Sequence, residues 1–182
     1  MKGIIVYPGT FDPVTYGHLD VIKRVSALFD KVYVAVAHSP EKNTLFSEKE
    51  RVEMLKEVTA DLKNVAVEGF EGLAVDYAKK KSAGVVVRGL RMISDFEYEF
   101  QMALTNRKLN PGIETIFMMP NESYSYISSR LIKEAAFMGA DVSDFVPDIV
   151  KKRLKEKMKN EKSIGIKGKS EKTEKKGCSA GR

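Results

Sequence analysis

Residues 3–37 read GIIVYPGTFDPVTYGHLDVIKRVSALFDKVYVAVA. The run from Gly3 to Tyr7 is apolar without polar alternation, the mark of a strand buried on both faces, and Pro8-Gly9 ends it. From His18 to Phe29 the residues Leu19, Ile22, Val25, Ala27, Leu28 and Phe29 fall at mostly helical spacing, and Lys31 to Ala37 returns to strand-like sequence. Strand, glycine-containing loop, helix and strand make a β-α-β unit. Its crossover is right-handed, so it lays a helix over one face of a parallel sheet.

The same alternation continues outward. Ser47 with Glu50 is a capping box opening a helix through Arg51, Val52, Met54, Leu55 and Val58. Val65 to Glu68 is a short strand, Leu73 to Lys81 a helix, and Val85 to Val87 a strand that delivers Arg88-Gly89 at its carboxyl end. Ser94 and Glu97 repeat the capping-box pattern ahead of Phe96, Phe100, Met102, Ala103 and Leu104, and Asn110-Pro111 stops that helix. Ile113 to Met118 is the fifth strand, and Asn121 to Tyr126 a polar loop. Ser128-Ser129 then sits where a helix N-cap belongs, Gly139 marks the stop, and Pro147 starts a last helix. The pattern predicts an α/β fold: a doubly wound five-stranded parallel sheet with helices on both faces and a C-terminal helix. Residues 1–159 are expected to form the domain. Residues 160–182 are Lys, Glu, Gly and Ser with few apolar side chains, and are expected to stay disordered.

The net charge of +6 is concentrated at one end. Residues 151–182 hold 13 of the 31 Lys and Arg but 4 of the 25 Asp and Glu, so residues 1–150 are mildly acidic. A nucleic-acid interface needs basic residues gathered on a structured face, so neither nucleic acid nor membrane is expected as a partner. There is no apolar run of the roughly 20 residues that crosses a bilayer. The single cysteine, Cys178, has no disulfide partner within the chain, which fits a reducing cytoplasm.

In open parallel sheets ligands bind beyond the carboxyl ends of the strands. The first such loop, Gly9-Thr10-Phe11-Asp12-Pro13-Val14-Thr15-Tyr16-Gly17-His18, combines glycines with a helix start, where free amides and the helix dipole favour an anion. It matches neither the dinucleotide glycine pattern nor the Lys-Ser/Thr phosphate loop. A guanidinium at the end of the Val85–Val87 strand must find an anion or a structural salt bridge, and Arg88 leaves both open. Ser128 and Ser129 offer hydroxyls and amides at a second helix start, whether they bind phosphate or cap the helix. His38 ends an apolar strand with no ligand partner in sequence, and is expected to be packed or solvated.

Thr15-Tyr16-Gly17-His18, following Gly9-Thr10-Phe11-Asp12-Pro13, resembles the Thr-x-Gly-His signature of the nucleotidylyltransferase superfamily, and Ile127-Ser128-Ser129-Arg130 resembles its second signature. From Tyr7 to about Leu154 the chain is similar to the bacterial phosphopantetheine adenylyltransferases, including Arg88-Gly89-Leu90-Arg91, Asp95-Phe96-Glu97-Tyr98-Glu99 and Tyr124-Ser125-Tyr126-Ile127-Ser128-Ser129. The resemblance implies transfer of AMP from ATP to 4′-phosphopantetheine, giving dephospho-coenzyme A and pyrophosphate. The acceptor phosphate is itself the nucleophile, so positioning and charge stabilisation suffice. The implied catalytic set is His18, donating a ring N–H to the α-phosphate in neutral or protonated form, with Lys42 and Arg88. ATP is implied to meet Thr10, Phe11, His18, Gly89, Leu90, Arg91, Glu99, Tyr124, Ser125, Tyr126, Ile127, Ser128, Ser129 and Arg130. The acceptor is implied to meet Thr10, Lys42, Arg88 and Ala74, the last standing where relatives carry a larger apolar residue. Glu97 is explained by the capping box. Mg²⁺ is implied through the ATP phosphates, with no protein metal site. A homohexamer and feedback by coenzyme A are also implied. Competing readings are another nucleotidylyltransferase, with nicotinamide mononucleotide or a polyol phosphate as acceptor, and a non-catalytic nucleotide-binding module.

Overall fold

The computed structural model describes residues 3–38 and 43–159, the Ser94 side chain excepted. Lys42, Cys178 and the expected tail at 160–182 lie outside the described residues. Five strands, β1 (Ile4–Gly9), β2 (Lys31–Ala37), β3 (Val65–Phe70), β4 (Val85–Gly89) and β5 (Glu114–Met118), form one parallel sheet in the order β3-β2-β1-β4-β5. Between and after them lie α1 (Tyr16–Leu28), α2 (Glu48–Val58), α3 (Ala74–Lys80), α4 (Ile93–Leu109), α5 (Glu122–Ser125), α6 (Ser129–Phe137) and a final helix α7 over 148–159. This is the doubly wound sheet that the sequence alternation predicts. Among the described residues no helix is long and apolar enough to cross a membrane.

Successive strand residues face opposite ways, so one run of valines supplies two cores. Ile5, Tyr7, Val32, Val34, Val36, Val67 and Val87 pack against Leu19, Ile22 and Val25 of α1, Met54 and Leu55 of α2, Ile132 of α6, and Val150 and Leu154 of α7. Val6, Ala35, Phe70 and Val86 face the other way, onto Val75, Tyr77 and Ala78 of α3. From β1 the chain first winds outward through β2 to β3, then returns to β4 and winds the opposite way to β5. With right-handed crossovers this reversal puts α3 and α4 on the face opposite α1 and α2, and it opens a crevice where β1 and β4 lie side by side.

Several boundaries differ from expectation. Pro8 and Gly9 do not end β1 but continue it, paired with Ala35 and Val36, and β4 carries Arg88-Gly89 within the ladder against Phe117 and Met118. Helix α4 begins at Ile93 with Met92 as an N-cap that makes no side-chain bond, so the capping box read at Ser94 and Glu97 is displaced from the true start. Part of the expected loop at Asn121–Tyr126 is the single turn α5, because Asn121 accepts from the Ser123 amide and nucleates it. The Ser47–Glu50 capping box is present in both directions.

Candidate active site

At the β1/β4 crevice a cavity of about 420 Å³ is walled by four segments: Tyr7–Asp12 with His18, Asn43-Thr44, Arg88-Gly89 with Arg91, Asp95 and Glu99, and Ser128–Arg130 with Lys133. The two helix starts singled out in the sequence therefore open onto one space.

The first wall is held by contacts that the chain makes with itself. Phe11 adopts φ 50, in the left-handed region, and the Asp12-Pro13 peptide bond is cis. The Phe11 ring is buried, edge-on to both Tyr7 (centroids 5.4 Å apart) and His18 (5.1 Å). A Cβ on Gly9 would come within 2.8 Å of that ring, so only glycine allows this approach. Asp12, 5% exposed, accepts from the amides of Leu45 and Phe46 at 3.0 Å each and from Lys133 Nζ at 2.5 Å. Arg51, 2% exposed, donates to the carbonyls of Thr10 (2.6 Å), Ala37 (3.1 Å) and Phe46 (3.2 Å). Two buried, oppositely charged side chains thus fix the Thr10 loop against the segment that follows β2.

Thr15 caps α1. Its Oγ1 accepts from the His18 amide at 3.4 Å, and its own amide donates to His18 Nδ1 at 3.1 Å. The protein around the imidazole desolvates it, and Arg91 and Arg88 add positive charge, so its pKa falls from 6.5 to about 4. This favours the neutral imidazole at physiological pH, one of the two forms the sequence leaves open.

Of its two options Arg88 takes the structural salt bridge here, with donors to spare. Its Nε and Nη2 donate to the two Glu99 oxygens at 2.7 and 2.6 Å, and Nη1 donates to the Pro8 carbonyl at 2.6 Å. Burial works against the Arg88 charge, but the Glu99 hydrogen bonds and carboxylate outweigh it and raise its pKa. Of the five guanidinium N–H groups, one on each terminal nitrogen lies beyond these three bonds. Glu99, expected to face the nucleotide, has both oxygens on Arg88. Arg91 is held by Asp95 (3.2 Å) and by the Ile127 carbonyl (3.0 Å), bridging the β4 loop to the second signature.

On the opposite wall Ser128 is the α6 N-cap, accepting from the Leu131 amide at 3.1 Å, and the Ser129 hydroxyl donates to the Pro13 carbonyl at 2.8 Å. These serines place the helix start, where backbone amides and the helix dipole favour an anion. The exposed Arg130 pairs with Glu134.

The structure gathers Thr10, Phe11, His18, Arg88, Gly89, Arg91, Glu99, Ser128, Ser129 and Arg130 around the cavity, while Ile127 lines a smaller cleft beside it with Gly17 and His18. Leu90, Tyr124, Ser125, Tyr126 and Ala74 are not on the main wall. The Leu90 amide is used by the Met118 carbonyl, Tyr124 packs beside Tyr16, Ser125 donates to the Glu122 carbonyl, and Ala74 packs with the α3 core. Sequence reasoning passed over Tyr7, Asp12, Asp95 and Lys133. Lys133 lies one helical turn after Ser129, a spacing that puts both on one face of α6 and was open to reading. His38 pairs with Glu48 at 2.7 Å rather than standing alone. Among the described residues no cluster of three His, Cys, Asp or Glu is placed to hold a metal.

A model of the cytidylyltransferase-like family matches residues 6–135. The chain is 60% identical over 156 residues to a phosphopantetheine adenylyltransferase of Caldanaerobacter subterraneus subsp. tengcongensis, covering 86% of this chain and 98% of that one. It is 51% identical over 152 residues to that of Alkaliphilus metalliredigens (84% and 97%) and 53% identical over 157 residues to that of Clostridium botulinum strain 657 (86% and 96%). A solved Vibrio parahaemolyticus structure, described as a nicotinate-nucleotide adenylyltransferase, superposes with a TM-score of 0.64 at 20% identity, covering 88% of this chain and 94% of that one; this likeness is one of fold.

Proposed function

The chain belongs to the phosphopantetheine adenylyltransferase family of cytidylyltransferase-like proteins, and on that premise we propose how its cleft works. It is a nucleotidyltransferase of coenzyme A synthesis, moving the adenylyl group of ATP to 4′-phosphopantetheine. A phosphate oxygen of the acceptor attacks the α-phosphorus in line, the bond from that phosphorus to the bridging oxygen breaks, and pyrophosphate leaves with the electron pair. The products are dephospho-coenzyme A and pyrophosphate, and no enzyme nucleophile takes part.

The observation that carries this reading is the shared cavity of the α1 and α6 starts. The α6 amides with Arg91 and Arg130 suit the β- and γ-phosphates, Lys133 adds charge on the same wall, and Ile127 with the Gly89 backbone suits the nucleoside. His18 at the α1 start gives a neutral N–H donor to the α-phosphate, where negative charge grows in the transition state. Thr10, Lys42 and the remaining Arg88 donors receive the acceptor phosphate, with Glu99 orienting Arg88. Ala74 faces a core, which leaves its backbone for the acceptor. Asp12, Asp95 and Glu99 are each engaged by a cation, so Mg²⁺ is read as arriving with the nucleotide, as part of the Mg-ATP substrate.

The chain is read as working in the cytoplasm as a homohexamer. The support for self-association is α4, which buries Glu99 while exposing Ile93, Phe96, Phe100 and Leu104 along one stripe. Feedback by coenzyme A follows from its chemistry, since it carries the adenylate and pantetheine parts of both substrates. Incubation with Mg-ATP and 4′-phosphopantetheine, with mass detection of dephospho-coenzyme A, tests the whole reading. Pyrophosphate released only with nicotinamide mononucleotide or glycerol phosphate would replace the acceptor, and nucleotide binding without release would end the enzymatic reading.

A further inference from the structure

Two helices in this fold open with the same reciprocal cap but close it differently. At α2 the third residue is Glu50, which returns a carboxylate oxygen to the Ser47 amide at 2.8 Å, the usual arrangement. At α1 the third residue is His18, and the group returned to the Thr15 amide is the ring nitrogen Nδ1, at 3.1 Å. The Thr15 hydroxyl lies 3.0 Å from the same nitrogen, while its oxygen accepts the His18 amide. Thr15 is 2% exposed, so water does not compete for these bonds.

A backbone amide can only donate. A nitrogen that accepts from it must be bare, and in a neutral imidazole the proton then sits on the other nitrogen. We propose that Thr15 is a positioning residue, whose cap on α1 selects the Nε2–H tautomer of His18 and turns that N–H toward the cavity. The inference rests on the reading of His18 as the α-phosphate donor and adds which nitrogen donates and what decides it. It also gives a physical reason for histidine at this place in the cap. Glutamate would close the box equally well but would put negative charge at a helix start that faces phosphates. The first turn of α1 holds no acidic residue, whereas that of α2 holds Glu48 and Glu50. The edge of Phe11, with ring centroids 5.1 Å apart, braces the imidazole against rotation out of this geometry.

The test separates the cap from the tautomer. Ring ¹⁵N spectra of the wild-type protein should show His18 protonated at Nε2 and bare at Nδ1. Thr15→Ser should keep both the spectrum and kcat. Thr15→Asp keeps an equally good helix cap, but its carboxylate can only accept, and it draws a proton onto Nδ1. It should leave the melting temperature near wild type and lower kcat, read at saturating ATP, about tenfold or more, beyond any rise in the KM for ATP that its negative charge brings. A wild-type spectrum with the proton on Nδ1, or Thr15→Asp protonated at Nδ1 with undiminished kcat, would overturn the assignment. If wild type shows Nε2–H but makes no dephospho-coenzyme A, the proposed reaction fails and the tautomer assignment stands.

Discussion

Replacing His18 by alanine is expected to lower kcat by about 10² or more with a modest change in ATP affinity, because its hydrogen bond strengthens as charge builds on the pentavalent phosphorus. Steady-state kinetics beside equilibrium ATP binding check this, and a matching loss of binding would make His18 a ground-state anchor instead. The depressed pKa carries its own signature. The native ring takes a proton only as pH falls toward about 4, so kcat/KM should show no acid limb near 6.5 that disappears in His18→Ala. The same shift has a sign for stability. An unfolded chain protonates this ring near 6.5 and the folded one near 4, so over that interval the unfolded state holds more protons and the fold weakens as pH falls. Arg88→Ala should chiefly weaken the acceptor, raising its KM by about tenfold or more while that for ATP moves little. It also strips both Glu99 oxygens of their partner, so a melting curve should accompany the kinetics.

At the scale of elements, the loop between β1 and α1 is more rigid than its glycines suggest. Gly9 is inside the sheet, and the Phe11 ring rests where a Gly9 side chain would be. Gly9→Ala should cost roughly 1–3 kcal/mol by overpacking, and lower kcat as well, since a displaced Phe11 no longer braces His18. Denaturant midpoints with turnover on the same preparation would read both effects. The strands and long helices were legible in the sequence because valine runs and three-to-four-residue spacing are local patterns. The place of the cavity was legible too, since ligands in doubly wound sheets bind beyond the strand carboxyl ends where the winding reverses; the meeting of the α1 and α6 starts there follows from the tertiary fold. What the sequence hid depends on contacts between distant residues. Glu99 is expected to face the nucleotide until Arg88 is seen on both of its oxygens, and nothing in the sequence around Asp12 points to Lys133, 121 positions away. The start of α4 was misplaced because Ser94 and Glu97 have the right spacing, yet the helix begins from Met92 without a side-chain cap.

For the molecule as a whole, α4 joins the wall of the cleft to the surface. Its inward side carries Glu99, and its outward side carries Phe96 and Phe100, stacked at 5.5 Å, with Ile93 92% exposed. Phe100→Glu should therefore break the proposed assembly, lowering the mass seen by light scattering during size-exclusion chromatography; an unchanged mass would move the interface elsewhere. Its acceptor KM should rise as well, if packing on the outer side of α4 steadies Glu99 beneath Arg88. The clasp among Asp12, the Leu45 and Phe46 amides and Lys133 reaches across 121 positions of the chain. A nascent polypeptide leaving the ribosome presents the first half of that clasp long before the second, so the nucleotide cannot template early folding. Only a chain translated through α6 has a pocket to fill, and ATP then rewards completed synthesis rather than guiding it.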